Sequence, residues 1–430
     1  MDKPLIEHDS RQMSFGTPDR DSSLSSNTTV FVGMSGGVDS SVSALLLREQ
    51  GYKVVGVYMK NWSQDLPGMQ CPWADDLADA KRVAVRLGID FEVWDFETSY
   101  RQKVVDYMLE EFKKGNTPNP DIMCNQEIKF KLFYNMAMEA GADFIATGHY
   151  ARTGFKVAPS SAGLENSRTL HAGQPAESSA TQTNLSVPSG VHIPEFSNQN
   201  LMLQKKQSLS PILLRATDEN KDQTYFLYRI SDEALSHTLF PIGGMLKPDV
   251  KKLAEERGLH NAHKKESMGV CFVGNVGMKD FLKEYIEVTP GEIRDIANER
   301  VLGYHEGAVF YTIGQRHGLN LSGLVGEENS GMPYYVVKKD MEQNIIYVSQ
   351  NLNDDNIWTD RLSLVDIVNR TGESLDGRHI EVRMRHRAAL VPAVIDGDIL
   401  KFVDKIKRPA KGQSAVFYDG VMCLGGGIVV

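Results

Sequence analysis

The sequence predicts an α/β protein: a parallel sheet with flanking helices, followed by a central α+β domain and a small C-terminal β-barrel. Three observations lead to this prediction. Apolar runs alternate with helical patterns over residues 29–147, as in βαβ units. Short strands separated by turn residues fill residues 366–430, which is typical of a barrel. The chain of 430 residues is long enough for roughly two to four domains.

The first ordered unit begins with residues 29–34 (TVFVGM), an apolar run typical of a buried parallel strand. The helical pattern after it ends at Gly51, a residue type favoured just beyond a helix. Further strands are predicted at 53–59, 91–96 and 144–147, and helices at 74–87, 100–114 and 127–140. Ligands of such sheets bind at the carboxyl ends of the strands.

Composition divides the chain into segments. We predict a polar, disordered tail (1–28), a first domain (29–235), a central domain (236–365) and the β-barrel (366–430). The first domain carries a polar insertion at 154–207, whose aromatic residues are Phe155 and Phe196. Such a segment buries too little apolar area to offset its ordering entropy. It is therefore predicted to be disordered, with a peripheral subdomain as the alternative.

Charge and cysteine content exclude several classes of protein. The net charge is −9, from 47 Lys and Arg against 56 Asp and Glu, so the chain is not coated in positive charge, although a local basic face stays open. Four cysteines without a CxxC pattern argue against a disulfide scaffold or a zinc site. The sequence contains no run of 18 apolar residues, so no membrane-spanning helix is predicted.

Residues 35–41 (SGGVDSS) follow the first strand and open the first helix. Gly36 and Gly37 allow a tight turn and close approach of a ligand, and a helix N-terminus favours an anion. Asp39 could hold a Mg²⁺ ion that bridges phosphates, since hard cations prefer oxygen ligands. The pattern GxxxxGK[ST] is absent, which excludes an ordinary P-loop NTPase. The alternative is a turn that only caps the helix.

In this context SGGVDSS resembles the PP-loop of the ATP pyrophosphatase superfamily, whose members cleave ATP between the α and β phosphates. Further segments narrow the resemblance to the tRNA-specific 2-thiouridylases. They are YMKNW (58–62), TPNPDIMCN (117–125), IKF (128–130), TGHYAR (147–152), KDQTYFL (221–227), KESMGVCFVG (265–274) and YTIGQR (311–316). The segments at 265–274 and 383–392 (RMRHRAALVP) look more like the mitochondrial branch.

The resemblance implies ATP-dependent 2-thiolation of uridine 34 in the wobble position of tRNA. ATP adenylates the C2 carbonyl oxygen, and a cysteine persulfide then delivers sulfur with release of AMP. By similarity Cys271 bears the persulfide, and Cys124 forms a transient disulfide with it. Asp121 would act as a general base or steer protons; its alternative role is a helix N-cap. Thiolate character would come from a helix N-terminus or from cations such as Lys264 and Lys265.

Two further cysteines carry less specific signals. Cys71 is a bystander or, as an alternative, completes an iron–sulfur site with Cys124 and Cys271, although its spacing fits no cluster pattern. Cys423 lies in an apolar strand and is predicted to be core. The structural alternative for Cys124 and Cys271 is two buried, inert thiols.

The remaining site residues are assigned by matching family positions. Those that match ATP contacts are Gly33, Met34, Ser35, Gly36, Gly37, Val38, Asp39, Ser40, Met59 and Gly148. Those that match contacts with the target base are Asn119, Pro120 and Asp121. Those expected to contact tRNA are His149, Lys221, Asp222, Gln223, Arg383, Arg385, His386 and Gln413. The alternatives are a structural histidine at 149, a surface salt bridge at 221–223 and a solvated basic face near the C-terminus.

The resemblance also implies ATP and Mg²⁺ as cofactors, with no permanently bound group. The expected partners are the anticodon stem-loop of tRNA and an upstream persulfide donor, for a monomer that contacts no membrane. The resemblance implies mitochondrial localisation. The acidic N-terminal tail adds only weak support for import, and the alternative is a cytoplasmic protein. Two other functions are alternatives. The first is an ATP-dependent amidotransferase or ligase, for which the sequence offers no candidate glutaminase nucleophile. The second is a non-catalytic tRNA-binding sulfur carrier, which would not need SGGVDSS and both motif cysteines.

Overall fold

The computed structural model describes residues 27–65, 71–157, 191–192, 209–265, 277–321, 332–351 and 357–430. The first layer is a parallel sheet with the order β3-β2-β1-β4-β8, which confirms the predicted parallel sheet. Its strands are β1 (Thr29–Gly33), β2 (Lys53–Lys60), β3 (Asp90–Asp95), β4 (Phe144–Ala146) and β8 (Thr238–Leu239). The short helix α5 (Asp232–Ser236) precedes β8. Because β8 pairs with β4, the first domain extends beyond the predicted boundary at 235.

Helices cover both faces of this sheet. On one face, α1 (Val38–Glu49) and α2 (Trp73–Leu87) pack with Val30 and Val32 of β1, and a later helix, α6 (Lys247–Glu256), joins the same apolar cluster. The opposite face is covered by two longer helices, α3 and α4, through Phe31 and the apolar residues of β2. Alternate residues of β1 therefore serve two separate cores, as the continuous apolar run predicts.

The helices α3 and α4 both contain a widened central section. Helix α3 consists of Glu97–Tyr100, Arg101–Asp106 and Tyr107–Lys113, and α4 consists of Pro120–Met123, Cys124–Phe133 and Tyr134–Glu139. The middle section of each is π-helical, a geometry that is rare and frequent at functional sites. Helix α4 begins at Pro120, earlier than the predicted start at 127, because a helix tolerates proline in its first turn.

The central domain starts with α7 (Met278–Tyr285) and continues as a four-stranded sheet. Its strands are β9 (Gly291–Asp295), β10 (Val301–His305), β11 (Tyr335–Asp340) and β12 (Ile345–Ser349). Phe281 of α7 packs against Trp62, with 6.2 Å between the ring centroids, which attaches this domain to the first one. Among the described residues, no helix is long and apolar enough to cross a membrane.

The C-terminal strands close into a six-stranded barrel, as predicted. They are β13 (Trp358–Asn369), β14 (His379–Arg383), β15 (Val391–Asp396), β16 (Ile399–Lys407), β17 (Ser414–Asp419) and β18 (Met422–Val429). Strand β13 begins eight residues before the predicted boundary at 366 and closes the barrel by pairing with both β16 and β18.

Two strands of the first domain extend the barrel sheet. Strands β5 (Ala151–Val157) and β7 (Leu209–Arg215) pair with each other, and β7 pairs with β18; the short β6 (Val191–His192) pairs with β5. Residues 154–157, assigned to the insertion by composition, are therefore strand, because Phe155 is buried and every residue of β5 has a partner in β7. Most of the predicted insertion, like most of the predicted N-terminal tail, lies outside the described residues.

Candidate active site

The SGGVDSS segment forms the turn between β1 and α1, at the carboxyl edge of the parallel sheet. Gly36 has a φ of +75°, and a Cβ atom there would clash with the carbonyl oxygen of Asp76. Gly37 is the N-cap residue of α1. Gly36 is thus required by a left-handed turn that is pressed against α2, whereas Gly37 is extended and has room for a Cβ atom.

Hydroxyl groups hold this turn in shape. The Ser35 amide donates to Ser40 Oγ at 3.2 Å, and Ser41 Oγ donates to the Gly37 carbonyl at 2.9 Å. The buried Asn261 adds a clamp, because its side-chain amide donates to the Gly36 carbonyl and to Ser41 Oγ, each at 2.9 Å. The turn is therefore preorganised by side chains.

Asp39 lies in the first turn of α1 and is paired with a lysine. The Lys247 ammonium is 2.6 Å and 2.8 Å from the two carboxylate oxygens, and the Tyr150 hydroxyl donates to one of them at 3.1 Å. The Lys247 side chain is 9% exposed and that of Asp39 is 30% exposed. Asp39 is thus the more accessible partner of a largely buried ion pair.

Met59, matched to a position that lines the adenine, and Gly148, matched to another nucleotide contact, lie beside β1 and α1. Met59 ends near β1, since its methyl carbon would be 2.8 Å from a Cβ atom placed on Gly33. A Cβ atom on Gly148 would be 2.6 Å from the Ser40 amide nitrogen. Glycine at 148 is therefore required by the backbone of α1 itself, while the nucleotide contact expected for Gly148 stays a prediction.

The NPDIMC segment begins helix α4. Asn119 is its N-cap, with Oδ1 accepting from the amides of Asp121 and Ile122 at 3.1 Å and 3.3 Å. The capping role considered for Asp121 therefore belongs to Asn119, and the Asp121 side chain is left half-exposed in the first turn. Pro120 is buried.

Cys124 is fully buried in the π-helical section of α4. Burial raises the pKa of its thiol, and the charge of Asp121 acts in the same direction, while Lys129 and a hydrogen bond with Tyr100 oppose them. The expected thiolate character is therefore not present at Cys124 in this conformation. A buried thiol is a poor nucleophile, so the role expected for Cys124 would require its deprotonation.

Cys271, the second cysteine expected to act in catalysis, lies outside the described residues, so its distance to Cys124 is not defined. Lys264, suggested as a cation near Cys271, binds Asp76 at 2.7 Å and Asp79 at 2.6 Å; its proximity to Cys271 stays a prediction.

Of the two remaining cysteines, one is core and one is partly accessible. Cys423 is buried in β18, which confirms its place in the core, and burial raises its pKa to about 12. Cys71 is half-buried, its thiol donates to the Trp62 carbonyl, and burial raises its pKa. Among the described residues, no three His, Cys, Asp or Glu side chains are grouped to hold a metal ion.

Several residues expected at the tRNA interface are inside the protein. His149 is 9% exposed, bonds to Thr147 at 2.8 Å and packs against Phe130 and Phe240. Burial holds the pKa of its imidazole well below the usual value, with Lys129 adding to the effect. His149 is thus a neutral core histidine, the structural alternative stated for it.

Asp222 and Arg383 form a buried ion pair between the first domain and the barrel. The Arg383 guanidinium is 2.8 Å from Asp222, whose carboxylate is fully buried and also 3.5 Å from Arg215. Thr224 Oγ1 donates to the same carboxylate at 2.9 Å. This pair corrects the surface salt bridge suggested for residues 221–223, because both charges are withdrawn from solvent.

Replacing Asp222 with Ala should destabilise the fold by about 3–5 kcal/mol, because two buried arginines would lose their counter-charge. Urea unfolding of the purified protein measures this loss. Glu373→Ala is the matched control, since Glu373 pairs with Lys156 at the surface and such pairs contribute at most about 1 kcal/mol. Equal losses in the two variants would contradict a buried structural role for Asp222.

The remaining expected tRNA contacts differ in accessibility. Gln223 accepts from the Tyr150 amide at 2.9 Å, which links it to the residue that holds Asp39. Lys221 is half-buried and Arg385 is exposed. The His386 ring packs 4.6 Å from that of Phe226, and burial together with Arg387 lowers its pKa to about 4, so it is uncharged at neutral pH.

Gln413 connects the barrel to the segment before α4. Its side-chain amide donates to the Thr117 carbonyl at 2.5 Å, and the Thr117 amide donates to the Lys411 carbonyl at 2.7 Å. Between them, Gly412 has a φ of +87° and lies against Asn116. The barrel loop 411–413 is therefore bonded directly to the start of the NPDIMC segment.

Lys247 and Asn261 are candidate site residues that the motifs did not reveal. Lys247 lies at the start of what the sequence presents as a plain amphipathic helix. The sequence feature that could have revealed Lys247 is its position in the first turn of a helix, where the helix dipole disfavours a cation. Asn261 carries no comparable signal, because one asparagine after a helix is most simply explained as a turn residue.

Comparisons with known proteins cover most of the chain. The family described as "tRNA methyl transferase HUP domain" matches residues 28–183 and 197–275, "tRNA methyl transferase PRC-barrel domain" matches 279–350, and "Aminomethyltransferase beta-barrel domain" matches 363–429. These ranges correspond to the parallel sheet with its helices, the central domain and the barrel.

Three curated relatives share the name "tRNA-specific 2-thiouridylase MnmA". The protein of Idiomarina loihiensis is 40% identical over 93% of this chain and 95% of its own length. Those of Lactiplantibacillus plantarum and Pediococcus pentosaceus are each 40% identical over 94% of this chain and over 96% and 95% of their own lengths. With nearly full coverage on both sides, this chain belongs to the family of tRNA-specific 2-thiouridylases.

Proposed function

We propose that this protein carries out the ATP-dependent 2-thiolation of uridine 34 in tRNA. The observation that carries the proposal is the SGGVDSS turn at the carboxyl edge of the sheet, in a chain that aligns with 2-thiouridylases over almost its whole length. The turn, shaped by Gly36 and held by Asn261, presents the N-terminus of α1 to an anion, which suits the phosphates of ATP.

Mg²⁺ would bind at Asp39 together with the phosphates. The carboxylate is partly exposed, and Mg²⁺ normally uses one or two carboxylates with substrate phosphates and water. The donor set therefore fits this ion, whose chemical contribution is to neutralise phosphate charge. The protein itself orients Asp39 through Tyr150 and Lys247, and the close packing of Gly148 on α1 keeps that turn in place.

Sulfur transfer is proposed to use Cys271 and Cys124 after adenylation of the C2 oxygen. The terminal sulfur of a Cys271 persulfide attacks C2, and AMP leaves with the oxygen. The Cys124 thiolate then attacks the Cys271 sulfur, a Cys124–Cys271 disulfide forms, and the electron pair of the broken S–S bond stays on the sulfur of the base. A thiol reductant restores both cysteines. Asp121, near Cys124, is the proposed proton acceptor.

Mass spectrometry of tRNA nucleosides tests the proposed function. We expect 2-thiouridine, AMP and pyrophosphate after incubation of the enzyme with tRNA, ATP, Mg²⁺ and a persulfide donor. Absence of both 2-thiouridine and pyrophosphate, with a persulfide formed on the protein, would indicate a sulfur carrier that supplies another enzyme. Pyrophosphate release with a small molecule in place of tRNA would indicate a ligase. Mitochondrial residence, proposed from the segments at 265–274 and 383–392, is tested separately by subcellular fractionation.

The basic face of the barrel is proposed to contact tRNA phosphates, with unequal contributions from Arg385 and His386. Arg385→Gln should weaken tRNA binding and reduce the slope of log Kd against log salt by about one, as for loss of one phosphate contact. His386→Gln should leave this slope unchanged, because the ring carries no charge at neutral pH. Filter binding over a salt series measures both, and a reduced slope for His386→Gln would contradict the assignment.

A further inference from the structure

The pair formed by Lys247 and Asp39 has an unusual position. Lys247 is the first residue of α6 and Asp39 the second residue of α1, so the N-termini of two packed helices meet at this pair. A cation is disfavoured at a helix N-terminus, and burial of its ammonium adds a desolvation cost. Pairing with Asp39 offsets part of that cost without explaining why a lysine is placed there.

The backbone around Lys247 is fixed. Its amide donates to Asp218 at 2.9 Å, and Asp218 is itself buried. The ammonium lies 5.7 Å from the centre of the Tyr150 ring, and Tyr150 is bonded through its backbone to Gln223. The stem of Lys247 thus leaves a rigid helix start, while its charged end faces the PP-loop.

We propose that Lys247 is a phosphate-contacting residue of the ATP site, whose ammonium pairs with Asp39 in this structure and passes to the pyrophosphate portion when ATP binds. This inference rests on the proposed use of ATP and names a residue that acts at the same site. The Lys247 ammonium and the N-terminus of α1 both lie at the Asp39 carboxylate, while Asp218 compensates the N-terminus of α6. This location suits a phosphate that replaces the Asp39 carboxylate as the partner of the ammonium. Once ATP engages Lys247, Asp39 is released to face a metal ion.

The proposal predicts a loss that depends on the number of phosphates. Calorimetric titration of Lys247→Met with α,β-methylene-ATP and Mg²⁺ should give an affinity about 10-fold or more below that of the wild type, while affinity for AMP changes less than about 3-fold. Arg257→Met is the matched control, because Arg257 pairs with Glu49 at 2.6 Å between the same two helices at their exposed ends. This control should bind both nucleotides as the wild type does.

Equal weakening for AMP and the ATP analogue in Lys247→Met would assign Lys247 a purely structural role and overturn the proposal, as would unchanged affinity. If Lys247→Met does not fold, the Asp39→Asn single variant is compared with Asp39→Asn/Lys247→Gln, which leaves no unpaired charge. The double variant should bind the analogue still more weakly than the single variant; equal affinities overturn the proposal. Absence of pyrophosphate release by the wild-type enzyme would refute the proposed function instead, and the binding comparison would still decide the role of Lys247.

Discussion

Asp39→Asn is expected to lower ATP-dependent pyrophosphate release by at least about 100-fold. The substitution keeps the size of the side chain but removes the charge that would face Mg²⁺ and that binds Lys247. Preorganised charges at a reacting phosphate supply effects of this order. The measurement is the initial rate of pyrophosphate formation with tRNA and saturating ATP.

Glu49→Gln provides the control for Asp39→Asn within the same helix. Glu49 forms an exposed ion pair with Arg257, and surface pairs contribute little. We expect its rate of pyrophosphate release to equal that of the wild type. An Asp39→Asn enzyme that is folded, by circular dichroism, and as active as the wild type would refute the assignment of SGGVDSS as a PP-loop.

Cys271→Ser is expected to abolish formation of 2-thiouridine while adenylation of tRNA remains measurable. Serine cannot carry a terminal sulfur, but the ATP site is formed by other residues, at the ends of β1 and β2. Nucleoside mass spectrometry and trapping of AMP-linked tRNA separate the two steps. Retention of thiolation with a persulfide donor would show that the persulfide is carried elsewhere.

Cys71→Ser separates the persulfide mechanism from an iron–sulfur site. With a persulfide on Cys271 and resolution by Cys124, replacement of the half-buried Cys71 should leave most thiolation activity intact. A cluster held by Cys71, Cys124 and Cys271 would lose activity with any of the three. Loss of thiolation in folded Cys71→Ser, together with an iron-dependent absorbance band in the wild type, would favour the cluster.

The sequence was sufficient to predict elements whose signal is local. The apolar run of β1 and the SGGVDSS turn lie at their predicted positions, and strands β14 to β18 lie within the segment 366–430 predicted to form the barrel. Their periodicity and turn residues act within a few positions of each other.

Long-range pairing explains most of the differences. Strands β5 and β7 join the barrel through Leu213 and Leu214, which pair with Cys423 and Met422; no local pattern specifies a partner two hundred residues away. The same reason applies to β13, which closes the barrel by pairing at both edges.

The site was predictable in residue type but not in burial. Family matching assigned both Asp222 and Arg383 to the tRNA interface, yet only the fold reveals that they bind each other. The pairing of Asp39 with Lys247 was equally inaccessible, because the two residues meet through packing of α1 on α6. The low thiolate character of Cys124 depends on the apolar residues that surround it.

The bonds between barrel loop 411–413 and Thr117 have a consequence for thermodynamic linkage. If tRNA bound to the barrel shifts this loop, it also shifts the backbone that leads into the Asn119 cap and helix α4. Such coupling is reciprocal. If RNA binding stabilises one arrangement of α4, then a change that stabilises this arrangement raises the affinity for RNA by the same free energy. If Cys124 forms a disulfide during sulfur transfer, as proposed above, the change in α4 would alter the affinity for tRNA, and completion of the reaction would then favour release of the product.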